Sequence, residues 1–269
     1  MCCLAASSIG LCTNAIGVFY TPVSKSLHVL KGTFAIHATL STLITALTSL
    51  KMSKLIRKYN YKKILLIGVL LSSVSTWMMS YSRSVYLFYI LGILRGIGVG
   101  IGGMVPITVI ITNWFDEKHG LATSLALSFS GLAGAIFSPL LSSWIISYGW
   151  QMTYRLMASC ILILVLPVLI VPWKINPQEE GMLPYGYQEK KDTIKIQNKK
   201  VNLITISFIC MCIFTLLHTS ITGISQHLSG IALSIHLSAT SGAILMSLTM
   251  IGNISTKLLI GFLSDLLIL

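Results

Sequence analysis

Long apolar runs separated by short polar clusters pattern the whole chain. Eight of them fall at about 3–23, 34–50, 63–81, 85–112, 121–146, 152–173, 201–225 and 238–261. Crossing ~30 Å of hydrocarbon takes a helix of about 20 mostly apolar residues, and each run meets or approaches that length. None of them alternates with a period of two, which argues against a closed barrel. In lipid the backbone must bond internally, so each run predicts a helix. The fold class expected is all-α, a polytopic transmembrane helix bundle.

The polar clusters between runs set the expected orientation. The second loop carries Lys51, Lys54, Arg57, Lys58, Lys62 and Lys63, the fourth Lys118, and the sixth Lys174, Lys190, Lys191, Lys195, Lys199 and Lys200. The alternate loops hold only Lys25, Lys31 and Arg83 near their ends. Lysine and arginine favour the cytoplasmic side. Loops two, four and six, and the N-terminus, are therefore expected in the cytoplasm of a cell with the chain in its plasma or inner membrane. Trp114, Trp144, Trp150 and Trp173 fall at run ends, where amphipathic rings prefer the headgroup layer. The first run has no basic leader and reads as a retained helix rather than a cleaved signal. Residues 1–173 read as a six-helix N-terminal half, 174–200 as a cytoplasmic linker, and 201–269 as two helices of an incomplete second half.

Composition agrees with a membrane protein. Charged residues make up 10% of the 269, against about 25% in soluble chains. The net charge of +12 raises the question of nucleic acid. The basic residues are spread over the loops and build no basic face, so the lipid bilayer is the expected partner and nucleic acid is not. The acids are Asp116, Glu117, Glu179, Glu180, Glu189, Asp192 and Asp265. With no acid inside a run before Asp265, no nucleophile–base–acid set can form there, and no enzyme, metal or cofactor is expected. Cysteines 2, 3, 12, 160, 210 and 212 all lie in apolar runs and read as free thiols. The glycines of residues 96–103 imitate a dinucleotide loop, but the strand, helix and acid which that motif needs are absent.

The informative positions are polar residues inside the runs. Arg95 sits ~15 Å from the nearer end of the fourth run. An arginine at that depth costs ~2.5–3.5 kcal/mol on the mildest scale and persists only inside the bundle. It either lines a polar cavity or bonds to neighbouring carbonyls and holds the cavity wall. Gly92, Gly96, Gly100 and Gly103 form a small-residue stripe beside it, which lets a neighbour approach closely. On the fifth run Ser124, Ser128, Gly131 and Ala135 share one small face, and Gly134 and Pro139 mark a place to bend or pack tightly. On the last run Lys257 lies ~12 Å before Asp265, with Asn253 one turn away on the same face. Facing lipid Lys257 would snorkel; facing inward it would be a cation in a cavity. His37 and His218 are lone residues on apolar helices, weak candidates for a proton relay.

Taken together, these segments resemble the major facilitator superfamily, near its oxalate/formate antiporter and monocarboxylate porter branches. NWFDEKHGLA (113–122) resembles the branch's loop before the fifth helix. SGLAGAIFSPLL (130–141) with YGW (148–150) resembles its fifth-helix glycine–proline motif. NPQEEGMLPYG (176–186) resembles its linker, and GFLSD (261–265) part of the loop motif after the eighth helix. The resemblance implies that Lys257, eight residues before Asp265, contacts a substrate carboxylate. It places Arg95 at the family's fourth-helix arginine, and Asn14 where some monocarboxylate porters have lysine. Asn253 stands where proton-coupled porters carry aspartate, His119 replaces an arginine, and KLIRKYNYKK lacks the motif's glycine and aspartate. Helices nine to twelve, with any eleventh-helix lysine, have no counterpart.

The function expected from this is transport of a small organic anion, a mono- or dicarboxylate, by alternating access. Lys257, Arg95, Asn253 and Asn14 are the candidate substrate residues; Gly131, Gly134, Pro139 and Asp265 are structural or conformational. The alternative is a truncated, non-transporting remnant, or a membrane module that needs a partner for the missing helices. Cationic drug efflux ranks lower, since such sites use a buried acid.

Overall fold

A computed structural model describes residues 1–187 and 205–267. The linker residues Glu189, Lys190, Lys191, Asp192, Lys195, Lys199 and Lys200, and the side chain of His218, lie outside the described residues. Among the described residues seven helices are long and apolar enough to cross a membrane. They are α1 (Cys2–Ser26), α2 (Lys31–Lys58), α3 (Tyr61–Met79), α4 (Val85–Trp114), a 52-residue helix His119–Ile170, α7 (Ile206–Ser225) and α8 (Ala239–Leu267). A 52-residue helix would be ~78 Å long, more than twice the bilayer core. It is broken at Gly149, whose φ of 79° and ψ of 163° are non-helical. An L side chain rarely takes that backbone, and glycine takes it freely. The break divides the segment into α5 (residues 119–148) and α6 (residues 150–170), which gives eight spans.

Local sequence explains several helix starts. Asn60 accepts the Lys62 N–H at 3.1 Å and Ser84 the Tyr86 N–H at 3.3 Å, each capping a new helix. Asn60 and Ser84 also end short loops, so α2–α3 and α3–α4 are antiparallel neighbours. Polar loops 51–63, 113–118 and 174–187 gather at one end of the bundle, where Lys62 Nζ donates to Val171 O at 2.6 Å. Residues 26–27 and 80–83, with Trp150, Gln151 and Arg155, line a pocket at the other end.

α4 packs through glycines on two sides. A Cβ on Gly92 or Gly96 would strike the backbone carbonyl of His37 or Ser41 on α2, and one on Gly100 would meet Thr48. On the opposite side Gly98 lies against Gly68 of α3. Gly103 departs from the expected stripe: it is where α4 breaks, between Val85–Gly102 and Met104–Trp114. Pro106 follows and has no N–H to give Gly102, four residues back. Two carbonyls at this break are taken up by neighbours: Gly102 O by Ser8 Oγ at 2.7 Å and Ile101 O by Tyr61 Oη at 3.0 Å. Both side chains come from other helices, α1 and α3.

Helix α1 is irregular for its own reason. Residues 6–14 form a wide π turn, with Ala15 N–H donating to Gly10 O at 3.1 Å, and Ile16–Phe19 then tighten into a 3-10 turn. Such turns re-aim side chains and are frequent at functional sites. Toward one end Phe19, Phe34, Phe88 and Tyr154 stack into an aromatic core, joined by Trp150. Trp150 is buried against this core while also lining the pocket at the loop end. Its position after the Gly149 break turns the indole inward. Large apolar side chains such as Ile67, Ile163 and Leu248 cover the outside, as lipid contact requires.

Gly96→Leu drives a side chain into the α2 backbone and should cost at least ~1–3 kcal/mol. Gly32→Leu enters open space and should leave the melting temperature of the detergent-solubilised protein within about 1 °C.

Candidate functional site

The polar residues singled out in the sequence assemble into three connected places. The first is a clamp at the end with the basic loops. The Asp265 carboxylate at the end of α8 accepts Gly120 N–H at 2.9 Å and Leu121 N–H at 2.8 Å. These are free N–H groups in the first turn of α5, where the helix dipole also favours an anion. Gly120 admits the carboxylate, since a Cβ there would sit 2.6 Å from Asp265 Oδ1. Beside it the linker start folds back: Asp116 N–H and Glu117 N–H donate to Tyr185 O, and Tyr185 N–H donates to Trp114 O at 2.8 Å. Asn113 Nδ2 donates to Asn176 Oδ1 at 2.9 Å. Three sequence segments far apart in the chain, 113–122, 174–186 and 261–265, form one structure.

The second place is a polar seam between α1, α5 and α8. Gly131 and Gly134 let α8 approach α5: a Cβ on Gly131 would sit 2.7 Å from Ile254, and one on Gly134 3.2 Å from Met250 and 3.1 Å from Asn14. α5 stays helical through both glycines and through Pro139. Pro139 lacks the N–H that Ala135 O needs, and Ser247 Oγ of α8 supplies the missing donor at 2.7 Å. One helical face above, Asn14 Nδ2 donates to Ser130 O at 3.1 Å. Ser130 gives its own hydroxyl hydrogen to Leu127 O at 2.6 Å, leaving its oxygen to accept. Lys257 Nζ donates to that oxygen at 3.2 Å and reaches Leu127 O at 3.4 Å. Lys257 therefore points into the bundle, half-buried. On the same face of α8, the buried Asn253 Oδ1 has no hydrogen-bond partner among the described residues.

The third place surrounds Arg95. Its side chain is 1% exposed, and its Nε and Nη1 have no partner among the described residues. Bonding to neighbouring carbonyls, one of the two roles expected for it, accounts for neither group. A cavity of about 70 Å³ opens beside it, lined on α1 by Cys12 and Thr13, on α2 by Ser41 and Thr45, and in the turn after α7 by Gln226. His37 is fully buried among Phe34, Phe88 and Tyr20, with Nδ1 against Phe34 O and Nε2 without a partner among the described residues. The π turn of α1 divides these two places: Cys12 and Thr13 face Arg95 while Asn14 reaches Ser130.

The family model described as Major Facilitator Superfamily matches residues 2–268. This chain belongs to the Major Facilitator Superfamily. With seven helices long and apolar enough to cross a membrane among the described residues, it is a multi-pass membrane protein. An uncharacterized MFS-type transporter, YcxA, of Bacillus subtilis (strain 168) is 25% identical over 169 residues, 62% of this chain and 41% of the relative. Monocarboxylate transporter 12-B of Danio rerio is 27% identical over 192 residues, 68% of this chain and 39% of the relative. The benzoate transport protein of Acinetobacter baylyi is 29% identical over 133 residues, 49% of this chain and 26% of the relative. The matches span less than half the length of each of these relatives.

Within this superfamily member, sequence reasoning found Arg95, Lys257, Asn14, Asn253 and Asp265 but missed their partners. Ser130 and Ser247 are ordinary helix residues by pattern, and Gln226 an ordinary turn residue. The one readable signal was Pro139, whose freed carbonyl demands an outside donor. Replacing Ser247 with Ala should cost ~0.5–1.7 kcal/mol, and much less in a Pro139→Ala background where the helix closes its own bond. Unfolding the four proteins of this cycle in detergent and denaturant measures the coupling. Asp265→Ala uncovers two N–H groups of α5 and should lower stability by ~1–2 kcal/mol in the same assay.

Proposed function

We propose that the protein moves a small organic anion, a mono- or dicarboxylate, across the membrane by alternating access, with Lys257 as the group that takes the carboxylate. The observation that carries this reading is the inward, half-buried Lys257 ammonium, held by a carbonyl and a hydroxyl and by no acid among the described residues. An ammonium has three N–H donors and no acceptor, so a carboxylate is the natural third partner. Trading the long 3.4 Å contact to Leu127 O for a charged acceptor strengthens it. Asn14 and Asn253 flank the site and supply neutral amide groups for the rest of a small solute. Arg95 belongs to the neighbouring wall.

Two further observations support the reading. Two of the similar proteins are named for monocarboxylate and benzoate transport. The Asp265 clamp and the α5–α8 seam tie the last helix to the first half of the chain, so any rocking of one against the other passes through Lys257. We infer from the basic loops that the clamp, the start of the linker and the N-terminus face the cytoplasmic side of a plasma or inner membrane. Residues 1–173 then act as one six-helix unit and α7–α8 as the start of a second. Exchange rather than uniport would appear as faster uptake into vesicles preloaded with carboxylate.

Labelled mono- and dicarboxylates offered to proteoliposomes test this. Lys257→Gln should cut initial uptake by ~10-fold or more, with Lys257→Arg retaining part of it. Uptake by the glutamine variant equal to that of the parent removes Lys257 from the site.

A further inference from the structure

Arg95 poses a problem of charge that Lys257 does not. Its guanidinium is a buried cation, and the three N–H bonds of its Nε and Nη1 are unspent among the described residues. A buried cation persists when a partner charge balances it. Among the described residues no acid lines the space around it. The described acids, Asp116, Glu117, Glu179, Glu180 and Asp265, lie in connecting segments or at the end of α8, and Asp265 is committed to the first turn of α5. A neutral acceptor such as His37 Nε2 can take one N–H but cannot cancel the charge.

The cavity beside Arg95 is lined by donors. Tyr20 Oη donates to Gln226 Oε1 at 3.0 Å, which spends the amide oxygen and leaves the Gln226 NH₂ group to donate. Thr13 and Ser41 add hydroxyls, while Thr45 turns its own hydrogen to Gly96 O at 3.0 Å. No carboxylate lines the space. At about 70 Å³ it holds little more than two waters' share of liquid volume. That volume suits a single small ion.

We propose that the pocket formed by Arg95, Gln226, Thr13 and Ser41 binds one small monovalent inorganic anion of chloride size, held as the counter-charge of the arginine. The ion binds between α1, α2, α4 and α7, and so cross-links the α7 end of the second half to the first. This site is separate from the Lys257 seam and does not rest on the carboxylate reading.

Binding of ³⁶Cl⁻ to the full chain in nanodiscs tests the proposal. The expected result is saturable binding of about one ion per chain, weakened ~10-fold or more by Arg95→Gln. Gln226→Glu places a fixed carboxylate against the guanidinium and should abolish chloride binding while preserving the melting temperature, which keeps the test valid if Arg95→Gln fails to fold. Lys257→Gln should bind chloride like the parent, whatever it does to carboxylate uptake. Absence of saturable binding in the parent overturns the proposal. Binding undiminished in Arg95→Gln or Gln226→Glu, or lost in Lys257→Gln alone, overturns it too.

Discussion

Inside a bilayer a backbone carbonyl that loses its helical partner has no water to turn to. This single constraint organises the bundle. Pro106 and the break at Gly103 release carbonyls on α4, and Ser8 of α1 and Tyr61 of α3 take them up. Pro139 releases Ala135 O on α5, and Ser247 of α8 takes that. Each irregularity in one helix thus becomes a specific bond to another. Association between helices in lipid lacks a hydrophobic drive, so such bonds and close small-residue packing decide which helices pair. The glycines of α4, facing α2 on one side and α3 on the other, provide the second half of that mechanism.

The same low-dielectric interior makes the two inward cations meaningful. Lys257 keeps neutral partners and a spare donor; among the described residues Arg95 has neither a full hydrogen-bond set nor an acid. Both lie beside α1, whose π turn sends residues 12–13 toward one and Asn14 toward the other. A movement of α1 would therefore be felt at both places. Tyr20, farther along the same helix, bonds Gln226 and stacks near His227, which links α1 to the end of α7.

At the opposite end, Asp265 spans the two parts of the chain through an interaction that needs no side chain on its partner. The acceptor is a carboxylate and the donors are backbone N–H groups of Gly120 and Leu121. Its strength depends on α5 starting where it does, after Lys118 in a left-handed conformation. The linker start, folded on Trp114 and Glu117 through Tyr185, holds that loop in place.

The sequence by itself determined the helical class, the spans and their alternation, because apolar length and loop charge are local properties. It also located the costly residues, Arg95, Lys257 and Pro139, since each breaks a rule that a single helix can state. Only the tertiary structure decided how those costs are met. Ser130 lies beside Lys257, Ser247 beside the carbonyl freed by Pro139, and Gln226 beside Arg95, although none is marked by its own neighbours in the chain. Serines on helices and a glutamine in a turn are common, and what distinguishes these is the carbonyl or cation opposite them on another helix. The Gly149 break and the inward turn of Trp150 were legible only in part: the run ends near them, but the direction of the indole depends on the aromatic core that receives it.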